Sequence, residues 1–107
     1  MIIILAKNHY YGIIRPRRKD FITHPLKEDE SIMGDHFLYL KDLLESKKLV
    51  LAGPTLIKDD PFGVMVFETE SLDEARELLQ NDPSVRKGIQ IIDDLRPIRL
   101  SLFRAIK

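Results

Sequence analysis

The stretch Met33–Leu40, which reads MGDHFLYL, lies in the middle of the only long helical pattern in the chain. On a helical wheel with ~100° between residues, an apolar arc lies within ~80° of Leu40, as is typical of a helix that packs on a sheet. The other apolar members of the arc are Ile32, Met33, Phe37, Leu43 and Leu44. His36 also falls inside it, ~40° from Leu40. Because an unpaired buried polar group is costly, the sequence predicts that another segment supplies a hydrogen-bond partner for His36.

The segments before and around this stretch predict one or two strands, a loop and the helix itself. The β-branched run Ile2–Ala6 is typical of a buried strand, and Tyr10–Ile14 either extends it or pairs beside it. The basic, proline-containing segment Arg15–Phe21 predicts a loop. We predict the first helix over Lys27–Lys47, because Glu28–Glu30 suit its positive end and lysines suit its negative end.

The segments after the helix predict a hairpin of two antiparallel strands with a long connecting loop. Leu49–Ala52 is apolar and is stopped by Gly53-Pro54, and Phe62–Glu68 is rich in residues that favour strands. Ser71 and Glu74 then match a capping box at the start of a second helix.

The last third of the chain predicts a short helical turn and a final strand. Asp82 is suited to cap the turn, with Pro83 as its first residue and Gly88 beyond its end. Ile89–Ile106 is mostly strand in character. Pro97 cannot donate to a strand ladder, so it marks an edge or a bulge.

The element order β-α-β-β-α-β predicts a ferredoxin-like α+β fold, built as a single domain over residues 1–107. Such a fold has one antiparallel sheet with both helices on one face. The other sheet face then needs a cover, because large exposed apolar surfaces are rare in monomers. We therefore expect a homodimer that associates through the sheet face.

Composition excludes several classes of partner and chemistry. Lysine plus arginine balances aspartate plus glutamate, 17 against 17, so no overall field attracts nucleic acid or an anionic membrane. The chain has no cysteine, which excludes disulfides and thiolate catalysis. The apolar run at the N-terminus reaches Lys7 too early for a membrane span and lacks a basic signal-peptide region. These features predict a cytoplasmic protein.

Motifs in register resemble the YCII-related family. They are His36–Leu40, Leu51–Pro54, Ser71–Ala75 and Asn81–Val85, and the resemblance extends over about Ile32–Pro97. It implies a dimeric α/β-barrel arrangement and an active site built on a histidine–aspartate pair.

The family's pair maps onto His36 and Asp82 in this sequence. The chain departs from the family in Met33–Asp35, where basic or polar residues often precede the histidine. It departs again in Arg96-Pro97-Ile98, where an aromatic residue usually follows the proline. Both departures affect the expected substrate more than the expected fold.

Chemistry gives the same pair a role that does not depend on the resemblance. A carboxylate on one imidazole nitrogen fixes the tautomer and stabilises the imidazolium, as a general base requires. Two plainer interpretations stay open. Asp82 can serve only as a helix cap, and His36 can be a core histidine that is paired but has no function.

The segment Arg15–Lys19 contains the densest basic cluster in the chain. Guanidinium groups bind planar carboxylates in a bidentate manner, so Arg17 or Arg18 could bind an acidic small molecule at the mouth of the site. The alternative is a solvated loop. His9 and His24 lack metal-site spacing, so no metal is predicted. No glycine-rich phosphate loop is present, and we predict no cofactor.

The resulting hypothesis is a small cofactor-independent enzyme. His36, oriented by Asp82, would move a proton on a small, anionic organic substrate, in an isomerisation, lactone chemistry or an elimination. The first alternative is a non-catalytic dimer that binds or senses a small metabolite in the same pocket. The second is a dimeric scaffold in which His36 is structural.

Overall fold

The computed structural model describes residues 8–18 and 26–104 of the chain. The predicted strand Ile2–Ala6 lies outside these residues. The elements in chain order are β1 (Asn8–Pro16), α1 (Lys27–Glu45), β2 (Leu49–Pro54), β3 (Gly63–Thr69), α2 (Leu72–Gln80), α3 (Pro83–Arg86) and β4 (Gln90–Ile98).

In the described part of the chain, the strands form a four-stranded sheet in the order β2-β3-β1-β4. Every pair of neighbouring strands is antiparallel, including the predicted hairpin of β2 and β3. With α1 and α2 as crossovers, this order is the ferredoxin-like α+β fold that the sequence predicted. β4 is an edge strand, which explains how Pro97 fits within it.

The core lies between the helices and one face of the sheet. Alternating residues of the central strands point toward the helices, because side chains of a strand alternate between faces. The helices add Leu43 from α1 and Ala75 and Leu79 from α2 to the same buried cluster. The strand members of the cluster are Tyr10, Ile14, Leu49, Met65 and Phe67.

Helix α1 uses only part of its apolar arc to pack on this core. On the wheel, Leu43 lies ~60° to one side of Leu40, and Phe37 and Leu44 lie ~40–60° to the other side. Leu43 is buried, whereas Phe37 is 66% exposed and Leu44 is 49% exposed. The expectation that the whole arc docks against the sheet is therefore wrong, because half of it borders an open cleft.

Helix α1 ends two residues earlier than predicted, at Glu45 rather than Lys47. Lys47 adopts a left-handed conformation with φ 65°, which cannot continue a right-handed helix. The amide of Lys48 then donates to Leu43 O at 2.9 Å, which satisfies a carbonyl of the last turn. Backbone geometry, and not the charge of the lysines, fixes this end.

Several strand ends also differ from the prediction. Arg15 and Pro16 continue β1 instead of opening a loop, because they pair with the start of β4. Gly53 and Pro54 belong to β2, which ends at Pro54 and not at Ala52. Pro54 is tolerated there because β2 is an edge strand. At the other end of the chain, β4 stops at Ile98, and residues 99–104 form no strand.

Helix α2 begins at a cap that is close to the predicted capping box. Ser71 Oγ accepts a hydrogen bond from the amide of Glu74 at 3.1 Å, as predicted. The Glu74 carboxylate, however, accepts from the amide of Glu70 at 2.9 Å, one residue before the predicted donor. Glu74 also accepts from Lys48 Nζ at 2.8 Å, so this cap connects α2 to the start of β2.

Asp29 stabilises the start of α1 in a pH-dependent way. The amide of Leu26 at 3.0 Å and the Arg18 guanidinium at 2.7 Å hold the pKa of Asp29 below its usual value. Because the folded-state pKa is depressed, this stabilisation is complete above the unfolded-state pKa of ~3.9 and disappears as the pH falls through the folded-state pKa.

We expect Asp29→Asn to lower the melting temperature by a few degrees at pH 7, because the negative charge of Asp29 at the start of α1 is lost. The difference from the parent chain should close at acid pH. Thermal unfolding followed by circular dichroism at several pH values measures both effects. Asp59→Asn, in an exposed loop, is the matched control. A difference that persists unchanged below pH 3 would contradict this role.

Candidate active site

The side chains of His36 and Asp82 meet where α1 packs against the one-turn helix α3. His36 Nδ1 lies 2.6 Å from Asp82 Oδ2 and 2.9 Å from Asp82 Oδ1. A carboxylate has no proton to donate, so the short contact requires a proton on Nδ1, which donates to Asp82. Asp82 is therefore the partner that the sequence predicted for an imidazole on this helix face.

Local sequence places Asp82 at this point. It is the N-cap of α3, and its Oδ1 accepts a hydrogen bond from the amide of Ser84 at 2.9 Å. Pro83 occupies the first turn, and Gly88, with φ 79°, lies beyond the end of the helix. The predicted cap is confirmed. Its carboxylate contacts His36 at the same time, so capping and pairing are not alternatives.

A buried polar network surrounds this carboxylate. Asp82 is 0% exposed, and Ser84 Oγ lies 2.9 Å from Asp82 Oδ1 and 2.7 Å from Gln90 Oε1. The hydroxyl has one proton, so it donates to one of these oxygens at a time. Asp82 thus receives several hydrogen bonds, as a buried charge requires. The network fixes the carboxylate, which in turn fixes the imidazole ring.

A pocket of about 470 Å³ lies between α1 and the β2–β3 hairpin. Its volume is within the range of small-molecule sites, about 300–1,000 Å³. Most of its wall is apolar, and the half of the α1 arc that does not reach the core forms one side. The lining residues on α1 are Met33, His36, Phe37, Leu40, Lys41 and Leu44, and the hairpin side includes Ala52, Pro54, Phe62 and Met65.

His36 connects the polar network to this pocket. Its side chain is 15% exposed and is part of the pocket wall. Within the described residues, Nδ1 is paired and no hydrogen bond to Nε2 is found. Nε2 is therefore the ring nitrogen that can exchange a proton. The buried carboxylate of Asp82 holds the ring through Nδ1, and the ring lies beside a ligand-sized cavity.

Lys41 and Gln90 line the same pocket and were not predicted from the sequence. Lys41 lies ~100° from Leu40 on the helical wheel, at the edge of the apolar arc. This position could have indicated that Lys41 borders the same space as the arc. Gln90 has no comparable signal, because it reaches the pocket only through the pairing of β4 with β1.

The predicted anion-binding arginines lie outside the pocket wall as the structure describes it. Arg17 Nε donates to Gly88 O at 2.8 Å, and Arg18 Nη2 donates to the Asp29 carboxylate at 2.7 Å. Pro16, directly before them, does line the pocket. Binding of a substrate anion by Arg17 or Arg18 therefore stays a prediction.

Tyr39 lies beside the pair but is committed to the backbone. Its hydroxyl donates to Leu78 O at 2.7 Å. Burial, followed by the nearby charge of Asp82, raises the pKa of Tyr39 above its usual value. The phenol therefore stays protonated and acts as a fixed hydrogen-bond donor from α1 to α2.

Two features are absent from the described ranges, residues 8–18 and 26–104. No group of three or more His, Cys, Asp or Glu side chains in them could hold a metal ion. No helix in them is long and apolar enough to cross a membrane.

Comparison with known proteins identifies the family. The sequence profile of the YCII-related domain family matches residues 9–98, and the chain belongs to this family. No functionally curated protein matches the sequence significantly.

A solved structure with the same fold is an enzyme. It is 5-chloro-2-hydroxyhydroquinone dehydrochlorinase from Burkholderia phenoliruptrix AC1100, in a complex with 2,5-dihydroxybenzoquinone. The TM-score is 0.58 and the sequence identity is 25%, over 84% of this chain and 91% of that chain. The similar structure thus combines this fold with enzymatic activity and a small-molecule ligand.

Proposed function

We propose that this protein is a small enzyme that needs no cofactor and transfers a proton on a small, anionic organic substrate. His36 is the general base and acid, and Asp82 orients it. The substrate binds in the pocket between α1 and the β2–β3 hairpin. The observation that carries the proposal is the position of His36, with Nδ1 bonded to a fully buried carboxylate and its ring in the wall of a ligand-sized pocket.

The geometry supports this role through the tautomer it imposes. With the proton of the neutral ring on Nδ1, the lone pair of the ring is on Nε2. Nε2 can then take a proton from substrate, and the Asp82 carboxylate stabilises the imidazolium that forms. The apolar walls favour the reaction because they exclude water from the transferred proton.

An elimination fits this site and follows the chemistry named for the similar enzyme. In a dehydrochlorination, the base removes a proton from the substrate, a double bond forms, and chloride leaves with the electrons of the carbon–chlorine bond. No electron acceptor is consumed. A hydroxylated six-membered ring would place its flat faces against apolar side chains such as Phe37 and Phe62, and its oxygens near the polar groups of the pocket.

The test measures chloride release from one compound and proton exchange in another compound and a panel. Purified protein is mixed with 5-chloro-2-hydroxyhydroquinone and chloride release is followed against the uncatalysed rate. In parallel, 2,5-dihydroxybenzoquinone is incubated in D₂O and loss of its ring proton signal is followed by NMR, alongside a panel of small carboxylic acids and lactones. Accelerated proton exchange or chloride release supports the enzyme. Binding without either supports the alternative, a dimer that binds or senses a small metabolite.

Lys41 supplies positive charge to the pocket and should contribute to binding of an anion. Removing it in Lys41→Met should weaken binding of 2,5-dihydroxybenzoquinone about 2–5-fold, the range of an exposed ion pair. The loss should shrink as salt is added, because salt screens exposed charges. Calorimetric titration at two salt concentrations measures this effect.

The control for Lys41 is Lys58→Met, which makes the same change in an exposed loop. Equal affinity of the Lys41→Met protein and the parent chain would contradict the role of Lys41. The same titration on Arg17→Ala and Arg18→Ala tests the arginines predicted from the sequence. Unchanged affinity in both would show that they do not bind the anion.

We also propose that the protein is a homodimer that associates through the sheet face opposite the helices. Leu51 pairs with Val66, and Ile91 pairs with Arg15. Val66 and Arg15 are next to core residues of their strands and so point to the opposite face. Leu51 and Ile91 therefore lie on that opposite face, and both are exposed. Exposed apolar side chains on a sheet face favour association with a second copy.

Sedimentation at micromolar concentration should show a dimer for the parent chain and a monomer for the double variant Leu51→Lys, Ile91→Lys. A lysine at each position would bury an unpaired charge in the interface. Leu56→Lys, on an exposed loop, is the control and should stay dimeric. A parent chain that sediments only as a monomer would contradict the proposal.

A further inference from the structure

Gln90 is a buried polar residue in the wall of the pocket. It is the first residue of β4 and is only 6% exposed. It lines the pocket together with His36. Its Oε1 is bonded to Ser84 Oγ at 2.7 Å, which fixes the orientation of the amide. A buried amide at the wall of a cavity has hydrogen-bonding capacity that the cavity's occupant can use.

The Nε2 group of Gln90 has no hydrogen-bond partner among the described residues. No buried side-chain nitrogen or oxygen in those same residues is sealed from solvent without a partner. Gln90 Nε2 must therefore contact open space. Since the side chain is nearly buried and borders the pocket, that space is the pocket.

Ser84 lies between this amide and the proposed catalytic pair. Its Oγ lies 2.7 Å from Gln90 Oε1 and 3.4 Å from His36 Nδ1. A single hydroxyl therefore separates the two pocket-lining side chains, and Gln90 lies at the same end of the pocket as His36. A substrate that reaches Nε2 of His36 comes within reach of the Gln90 amide.

We propose that Gln90 Nε2 donates a hydrogen bond to an oxygen atom of the substrate and so selects oxygen-bearing compounds in this pocket. This inference rests on the proposed function and assigns the substrate a carbonyl, enolate or carboxylate oxygen beside the atom that gives up its proton. Such a donor discriminates strongly, because a ligand without the oxygen leaves a buried amide unpaired.

Substitutions at Gln90 test the inference by binding rather than by turnover. Gln90→Met keeps the length of the side chain and removes the donor. Its affinity for 2,5-dihydroxybenzoquinone should fall about tenfold, the size of one hydrogen bond. Gln90→Glu should lose more, because a carboxylate repels an anionic ligand. Gln80→Met, at the exposed end of α2, is the matched control and should bind like the parent chain.

The unaltered chain provides a second readout, which does not depend on how the variants fold. The side-chain ¹H–¹⁵N signals of Gln90 should move when 2,5-dihydroxybenzoquinone is added. Equal affinity of Gln90→Met and the parent chain, or Gln90 signals that stay fixed while His36 signals move, would overturn the inference and leave the proposed function intact.

Other combinations of results separate the Gln90 proposal from the proposed function of His36. Gln90 signals that move, combined with proton exchange that does not depend on His36, would support the Gln90 subsite and contradict the proposed function. If neither residue responds to any compound in the panel of quinones, carboxylic acids and lactones, both proposals are contradicted.

Discussion

Replacing His36 by asparagine is expected to reduce proton transfer by about 10²–10⁴-fold, the usual contribution of a general base. The asparagine amide can still donate to Asp82 from the position of Nδ1, so the buried carboxylate keeps a partner. Nothing remains at the position of Nε2. Proton exchange of 2,5-dihydroxybenzoquinone in D₂O, measured at saturating ligand, reports the effect on turnover separately from binding.

The chain offers a matched control for this substitution. His9 Nε2 lies 3.0 Å from Glu68 Oε1, so it is also a histidine paired with a carboxylate, but it is not among the residues of the pocket wall. His9→Asn should leave proton exchange unchanged. A His36→Asn protein that folds normally and exchanges protons at the parent rate would contradict the role of His36.

Replacing Asp82 has the second large expected effect, and it acts on both stability and turnover. Asp82→Ala removes the cap of α3 and leaves His36 Nδ1 and the Ser84 amide without their shared acceptor. We expect a loss of about 2–4 kcal/mol in the free energy of unfolding, from one lost cap and buried groups left unpaired. Urea unfolding followed by circular dichroism measures it, at one protein concentration because the proposed dimerisation would also stabilise the folded chain.

Asp82→Asn separates the two roles of this residue. The asparagine Oδ1 can still accept from the Ser84 amide, so most of the cap is kept. Its Nδ2 now faces His36 Nδ1 as a donor, which forces the proton of the neutral ring onto Nε2 and removes the base. We expect near-parent stability with turnover reduced by about 10²–10⁴-fold. Turnover at the parent level in the Asn variant would show that Asp82 only caps the helix.

Local sequence was sufficient for the parts of the fold that depend on neighbouring residues. The cap at Asp82, the hairpin of β2 and β3, and the cap at Ser71 are set by residue types within a few positions, and all three are present. The contact between His36 and Asp82 could be predicted because a buried imidazole demands a partner and because the family resemblance named one.

The parts that could not be predicted depend on how distant segments pack. A helical wheel gives the apolar arc of α1 but not which half reaches the core, so Phe37 and Leu44 were expected against the sheet. Gln90 enters the pocket through strand pairing, which no local pattern encodes. The left-handed Lys47, which ends α1, is also set by the chain reversal into β2 and not by residue preference.

The most direct test of the central claim is ¹⁵N NMR of the His36 ring in labelled protein, assigned with the His36→Asn variant, before and after addition of 2,5-dihydroxybenzoquinone. The proposed mechanism predicts a neutral ring with its proton on Nδ1 and an unprotonated Nε2, and an Nε2 signal that moves when the ligand binds. A ring that carries its proton on Nε2, or an Nε2 signal that ignores a ligand bound in the pocket, would contradict it.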